Sequence, residues 1–525
     1  MSRLFEVGAS YPPLADIERI AKYKRFRTIF DGKQAEIYER ASALLKDTPH
    51  AAQLNKLFIA VNIVDVLVTK PADLMVGEPP TYESGGKDDT VEQQRLNSIV
   101  EENDLNTLIH ESVTGGGIRG DSWLKTYFAT RQDVSETVAA DLTPPDTAPE
   151  PIIEAVDAAI VFPELSRGSR KRFKAVNIAY VEWMMVSMQP GLEKYLTKKN
   201  DRYAEIPFLV VERHIPGYIV YERYRLSENG VDTRFDYPVS LFRIEEKVAT
   251  GREVDVIETG IPELLVQHIP YKTVDDDWRG IGGIEKIESV LAAINDRIVQ
   301  IDYILWKHSD PTAYGPELPT DESGGVRATG RYIPVGKDEA TPGYMTWNSQ
   351  LEGAFKELDI LLGIVYQMSE TPQWLFGTTL AEDKGGSGTS HTDGAAIKAR
   401  FMPILSKVKR IRNHVDRAVR DALWIAMKLE NVANEGVKGF EPYKPVYPKI
   451  NWRDGIPRDE KGEAEVYALR TGNKPTLDVK SALKRMDGIN DEQADRILDA
   501  MKDDEERVNG VVDGTVFNEG AGGEA

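Results

Sequence analysis

The alternation of apolar and polar positions divides the chain into stretches of different character. Across residues 14–77 apolar side chains recur at helical spacing, in LADIERIAKYKRFRTIF, then AEIYERASALL, then the apolar stretch after Gln53. Pro71 and GEPP at 77–80 are expected to close this region, and EQQRLNSIVEENDLNTLIHESV at 92–113 predicts a further helix. Between about 118 and 270 the pattern becomes that of strands. WLKTYFAT, FKAVNIAYVEWMMV, PFLVVERHI, GYIVYERYRL and YPVSLFRIEE are rich in aromatic and β-branched residues and are separated by turn signals. Residues 132–160, with LTPPDTAPEP, read as an exposed loop, so the region before 280 is an α+β unit with one excursion.

After GIGG at 280–283, Ile284, Ile287, Leu291, Ile294, Ile298, Ile301 and Leu305 alternate spacings of three and four. That is the seam of a helix packed lengthwise against neighbouring helices. It stops at His308-Ser309-Asp310-Pro311. Residues 310–350 are dense in proline and glycine, with short strands expected around 326–335 and 343–347. A second seam helix is predicted over 351–369, with Phe355, Leu358, Leu362 and Val365 on one stripe.

A glycine- and serine-rich stretch, GTTLAEDKGGSGTSHTDG, then leads into a long helix from about 394 to 429. Its apolar face carries Ile397, Phe401, Ile404, Leu405, Val408, Ile411, Val415, Val419 and Leu423, with Pro403 as a candidate kink. DVKSALKRMDG and NDEQADRILDAMKDDEERV predict a short helical pair around Asp487-Gly488, and the last residues, VFNEGAGGEA, are expected to be disordered.

At 525 residues the chain has room for several packing units. The absence of cysteine excludes disulfides, thiolate zinc sites and a cysteine nucleophile, and is compatible with a reducing cytoplasm. The longest apolar run, residues 57–68, is broken by Asn62 and Asp65 and reads as a buried helix, so no membrane association is expected. MSRLFEVGASYPP has no signal-peptide pattern, so the protein is expected to stay where it is made. A net charge of −20 argues against nonspecific coating of DNA, unless basic residues are focused in one place. Lys398, Arg400, Lys407, Lys409, Arg410 and Arg412 on the long helix are the candidates for such a basic face. They read either as a solvated or partner-binding surface, or as a face meeting a neighbouring subunit or DNA.

Motifs for catalysis are weak. No Gly-Lys pair is followed by Ser or Thr, so the phosphate-cradling loop of nucleotide hydrolases is missing. GGGIRG at 115–120 lies between a helix and a strand, the reverse of a dinucleotide site, and reads as a tight turn. Ser406-x-x-Lys409 falls mid-helix without companion motifs. The seven histidines have no metal-ligand spacing, and Asp275-Asp276-Asp277 reads as an exposed turn. No cofactor and no metal are expected, and the chain is read as non-enzymatic. A metal-dependent nucleic-acid-processing enzyme, with carboxylates gathered from distant segments, is the alternative.

The order of these parts resembles the portal proteins of tailed bacteriophages of the siphovirus type. Local stretches agree: NKLFIAVNIVDVLVTKPADLMVGEPP at 55–80, IPYKTVDDDWRGIGGIEKIESVLAAIND at 269–296, and SETPQWLFG at 369–377 followed by GAAIKARF. The resemblance implies a mainly helical α+β portal fold assembled as a dodecameric ring at one capsid vertex. It implies a wing over 1–280, a stem helix over 281–308, a clip over 309–350 and a second stem helix over 351–371. A tunnel loop over 372–393, a second wing segment over 394–450, a crown over 451–507 and a disordered tail over 508–525 complete the order. Thr378, Thr379, Lys384, Gly385, Gly386, Ser387, Gly388, Thr389, Ser390 and His391 would face double-stranded DNA passing through the channel. The implied partners are the terminase large subunit, the head-completion (adaptor) protein and the major capsid and scaffolding proteins. The implied location is the virion, after assembly in the host cytoplasm.

Overall fold

The computed structural model describes residues 3–37, 62–86, 90–132, 148–187, 203–308, 312–315, 332–334, 343–345, 351–376, 394–453, 455, 460–472, 475–487, 489 and 491–510. The predicted helical stretches mostly form, with changed boundaries. Helix α1 (Ile17–Phe30) follows a short 3-10 turn, and most of AEIYERASALL falls outside the described residues. Helix α2 (Ile63–Val76) contains Pro71 in its interior instead of ending there, with the ring buried. The region 92–113 is two helices, α3 (Val91–Glu102) and α4 (Leu105–Arg119). They separate because Asp104 adopts a left-handed conformation (φ 41°) and the Asn103 amide bonds back to the Ile99 carbonyl, 2.9 Å away.

The strand-rich region forms two sheets. The larger is antiparallel and curled, in the order β1 (Ser10–Tyr11), β9 (Val239–Val248), β8 (Tyr218–Asp232), β7 (Tyr203–Ile215), β6 (Phe173–Ser187), β5 (Val161–Leu165); β10 (Val256–Glu258) also pairs with β8. Register shifts between β8 and β9 and between β5 and β6 accompany the curl, since bulges bend a strand and increase its twist. The smaller sheet runs β11 (Val266–Pro270), β3 (Asp121–Ala129), β4 (Glu150–Val156). Strand β4 lies within the segment predicted as loop. It forms because Ile152 and Ile153 have a place to be buried beside β3, although residues 133–147 are outside the described set.

Helix α5 (Glu288–His308) and helix α6 (Leu351–Met368) pack side by side, and α7 (Gly394–Ala433) is a 40-residue rod with Pro403 inside it. Between α5 and α6 the described residues are three short strands, β12 (Thr312–Gly315), β13 (Tyr332–Pro334) and β14 (Gly343–Met345), which pair with one another. Strand β15 (Lys449–Asn451) pairs with β2 (Thr81–Glu83). The chain then forms α8 (Glu460–Thr471), α9 (Val479–Asp487) and α10 (Asp491–Gly510). The described chain is thus mixed α+β.

One core joins α2, α3 and α4 to the three-stranded sheet and to α7, whose Ile404, Val408, Ile411, Val415, Val419 and Leu423 are all buried. A second lies between the N-terminal segment and the curled sheet. A third gathers Phe26, Ile29, Val64, Leu67, Val68 and Ile118 around Ile284, Ile287, Leu291, Ile294 and Val365.

The two glycine motifs meet where these cores adjoin. Gly120, at φ 98°, ends α4, and its carbonyl accepts from Tyr271 N–H at 2.8 Å. Gly117 accepts from Gly283 N–H at 2.7 Å. The backbones of Gly120 and Gly280 cross so closely that a Cβ on Gly280 would lie 1.9 Å from the Gly120 oxygen. Asp121 seals the crossing. Its wholly buried carboxylate accepts from Tyr23 O–H and from Gly280 N–H (2.7 Å), with His268 Nε2 at 2.7 Å. Trp123, Phe173 and Trp278 surround that histidine. Lys22 and Arg25 on α1 pair with Glu285 and Glu288 at 2.7 and 2.5 Å, tying α1 to the entry of α5.

The crossing gives a stability prediction. Gly280→Ala forces two main-chain segments apart and should cost about 3–5 kcal/mol. Gly353→Ala on α6, where a Cβ meets nothing, should instead be neutral or slightly stabilising. Denaturant unfolding of both variants checks the contrast.

Candidate functional site

The site grows from two features, the outer face of the α5–α6 pair and the junction at which α6 ends. Of the predicted seam, Ile284 and Ile287 lie in the turn just before α5 and are buried; along α5 itself Leu291, Ile294 and Ile301 are buried, Ile298 is partly buried and Leu305 is exposed. On α6, Val365 is buried, Leu358 and Leu362 pack partly against the same core, and Phe355 is exposed. The predicted seam is therefore filled near residues 284–301 and 358–365, and open at Leu305 and Phe355. Arg297 and Glu357 bridge the two helices at 2.5 Å.

Helix α6 also carries a second apolar stripe. Ile360, Ile364 and Met368 recur every fourth residue and are 56%, 36% and 46% exposed. At about 100° per residue they are centred about 130° around the helix from Leu358, Leu362 and Val365, with Met368 bordering Val365. A helix apolar on two sides requires two partners, and α5 supplies one.

At the end of α6 the chain turns sharply. Glu370 is left-handed (φ 56°), and Thr371 N–H closes on the Tyr366 carbonyl at 3.1 Å. Lys407 of α7 enters this turn from inside. Although a lysine, it is buried, and its ammonium donates to the carbonyls of Ser369 at 3.0 Å and Leu67 at 3.5 Å. It thereby adds a charged donor to the Ser369 carbonyl, which also accepts from the Thr371 hydroxyl at 3.1 Å, at a helix C-terminus where positive charge is favoured. Burial pulls its pKa down to about 8, against the opposing pull of the Glu370 carboxylate. Arg410 clamps Glu370 with Nη2 at 2.6 and 2.5 Å from the two carboxylate oxygens.

The six basic residues of α7 do not share one face. Their positions fan around the axis at about 100° per residue, so a run of charge in the sequence is not a stripe on the surface. Lys407 points inward, Lys409 is exposed and Arg410 pairs with Glu370. Arg412 turns to the Arg453 carbonyl at 2.8 Å and lies over Trp452; Arg400 is half-buried, and the side chain of Lys398 is outside the described set. Thr378, Thr379, Lys384, Gly385, Gly386, Ser387, Gly388, Thr389, Ser390 and His391 also lie outside the described residues. In the sequence they fall between the 3-10 turn Gln373–Phe376 and α7.

Tyr271, Glu370 and the Ile360 stripe were not singled out from the sequence. The fourfold spacing of the stripe was present in DILLGIVYQM, whereas the meeting of Tyr271 with α7 required the fold. Among the described residues no three or more His, Cys, Asp or Glu gather in a metal-holding group, and no helix is long and apolar enough to cross a membrane. Compared with known protein families and characterised proteins, the chain gives no match.

Lys407 gives a signed pH dependence. Its folded pKa, about 8, is below the ordinary lysine value of 10.5, so the unfolded chain holds the proton more tightly and this residue's contribution to stability rises with pH across that window. From pH 8 to 9.5 the gain should be about 1.5 kcal/mol. Lys407→Met keeps an unbranched stem and cannot titrate, so its unfolding free energy should lack this increment relative to the parent when both are measured at the two pH values.

Proposed function

We propose that this chain is a portal protein of a tailed bacteriophage, a non-enzymatic subunit of a ring through which double-stranded DNA is packaged and ejected. The carrying observation is the second apolar stripe of α6. Ile360, Ile364 and Met368 face water in the single chain, and a copy placed alongside would cover them. Side-by-side repetition of one contact closes into a ring when the rotation allows it.

The order of parts supports the same reading. The mixed unit before residue 280 and most of α7 would form the wing, α5 and α6 the stem, and the short strands β12–β14 the clip that docks the terminase large subunit and the head-completion protein. Helices α8–α10 would form the crown. Residues 377–393 would face the channel, where a loop of glycine, serine and threonine slides past a duplex without gripping its phosphates. The major capsid and scaffolding proteins would meet the outer ring, placing the protein in the virion after assembly in the host cytoplasm.

Solution mass and particle images test this. The purified protein should form a closed ring of about twelve copies with a central hole. Covering three half-exposed apolar side chains contributes about 2–3 kcal/mol per contact. Ile360→Lys combined with Ile364→Lys should therefore dissociate the ring while leaving the circular dichroism of the chain unchanged. A parent protein that stays monomeric at every concentration and salt, or rings indifferent to the double substitution, would sink the reading.

A further inference from the structure

Behind the Glu370 turn lies a small cavity of about 60 Å³, between the segment leading into α5, the end of α6 and the inner side of α7. It has room for a few water-sized groups. Four cationic side chains, Lys272, Lys286, Lys407 and Arg410, line it against the single carboxylate of Glu370, which Arg410 already clamps. Lys272 and Lys286 are exposed and have no ion-pair partner among the described residues. Lys407 is 7% exposed and commits two of its three N–H donors to carbonyls.

Tyr271 supplies an independent sign of a missing partner. The residue is 6% exposed and lines the cavity, and its hydroxyl has no hydrogen-bond partner among the described residues. A buried hydroxyl left unpaired is costly, so the expectation is that something fills the gap. Gly282 and Gly283 form part of the wall, and a Cβ on Gly283 would stand 3.7 Å from that hydroxyl, narrowing the space beside it.

We infer that this cavity binds a phosphate group, held by Lys407 and the Tyr271 hydroxyl from within and by Lys272 and Lys286 at the rim. A tetrahedral oxyanion offers several acceptors to convergent donors and neutralises the excess positive charge. The group can come from free inorganic phosphate or from a nucleic-acid backbone. The inference stands on the cavity of the single chain, one edge of which is Met368 of the α6 stripe.

The affinity should fall as Lys407 loses its proton. The groups facing it are Glu370, Arg410, Lys272, Lys286 and Tyr271, and burial holds the tyrosine above its ordinary pKa, so it keeps its proton throughout. An anion favours the charged lysine. Raising the pH from 8 to 9.5 should therefore weaken phosphate binding about tenfold.

The test is titration of the full-length protein with inorganic phosphate by calorimetry at pH 8 and 9.5, alongside fluorescence anisotropy with a short labelled DNA duplex. Lys286→Gln, at an exposed position, and Tyr271→Phe, which removes one oxygen, should each weaken phosphate binding about threefold to tenfold with the unfolding transition retained. Displacement of the duplex by phosphate assigns the group to a nucleic-acid backbone. Phosphate binding with no duplex effect assigns it to the free anion. No phosphate binding at pH 8, or binding that neither substitution alters, overturns the inference.

Discussion

The crossing of the Gly120 and Gly280 backbones is the constraint from which the rest of the arrangement follows. Two strands of main chain lie too close for any side chain to intervene, and the carboxylate of Asp121 sits over them. A buried carboxylate is tolerated when its oxygens are occupied, and here a tyrosine, a histidine and a backbone N–H occupy them. Were the crossing to open, Asp121 would lose the Gly280 donor. The direction in which α5 leaves the three-stranded sheet is thus coupled to the cost of an under-bonded buried charge, a stiffer restraint than apolar packing alone.

The chain's charge is distributed in a related way. Its net charge of −20 coexists with cations drawn deep inside. Arg19 bonds to the carbonyls of Ala158 and Val161 as well as to Asp16, and Lys407 bonds to those of Ser369 and Leu67. Both side chains serve as fasteners that tie one element to the backbone carbonyls of distant ones. Such a fastener needs a long stem and several donors, which arginine and lysine alone combine. Counting basic residues along a helix consequently overestimates the positive surface that the helix presents.

Much of the architecture was legible in the sequence because it depends on local periodicity. The seam of α5, the strands β6 to β9 and the apolar side of α7 all announce themselves by spacing. What failed to show depended on contacts between distant segments. Pro71 stays within a helix because its surroundings bury it, Asn103 divides one predicted helix by bonding to its own backbone, and β4 forms against β3. Candidate site residues divided in the same manner. The stripe at Ile360, Ile364 and Met368 was written in the spacing, whereas nothing in the sequence around Lys407 distinguishes it from Lys409 two positions away. Which of the two turns inward is decided by α2 and α6, which supply the carbonyls.

The length of α7 has a mechanical consequence. Forty helical residues span about 60 Å, and from Ile404 onward the helix is bonded along one side to the core of the three-stranded sheet. Phe401 packs partly against the same core, and Pro403 takes one backbone donor out of the helical ladder. Bending is therefore easiest at the interrupted ladder around Pro403, while the section from Ile404 onward behaves as a beam held by the core. A push on the chain at the Gly394 end bends the rod at the proline first.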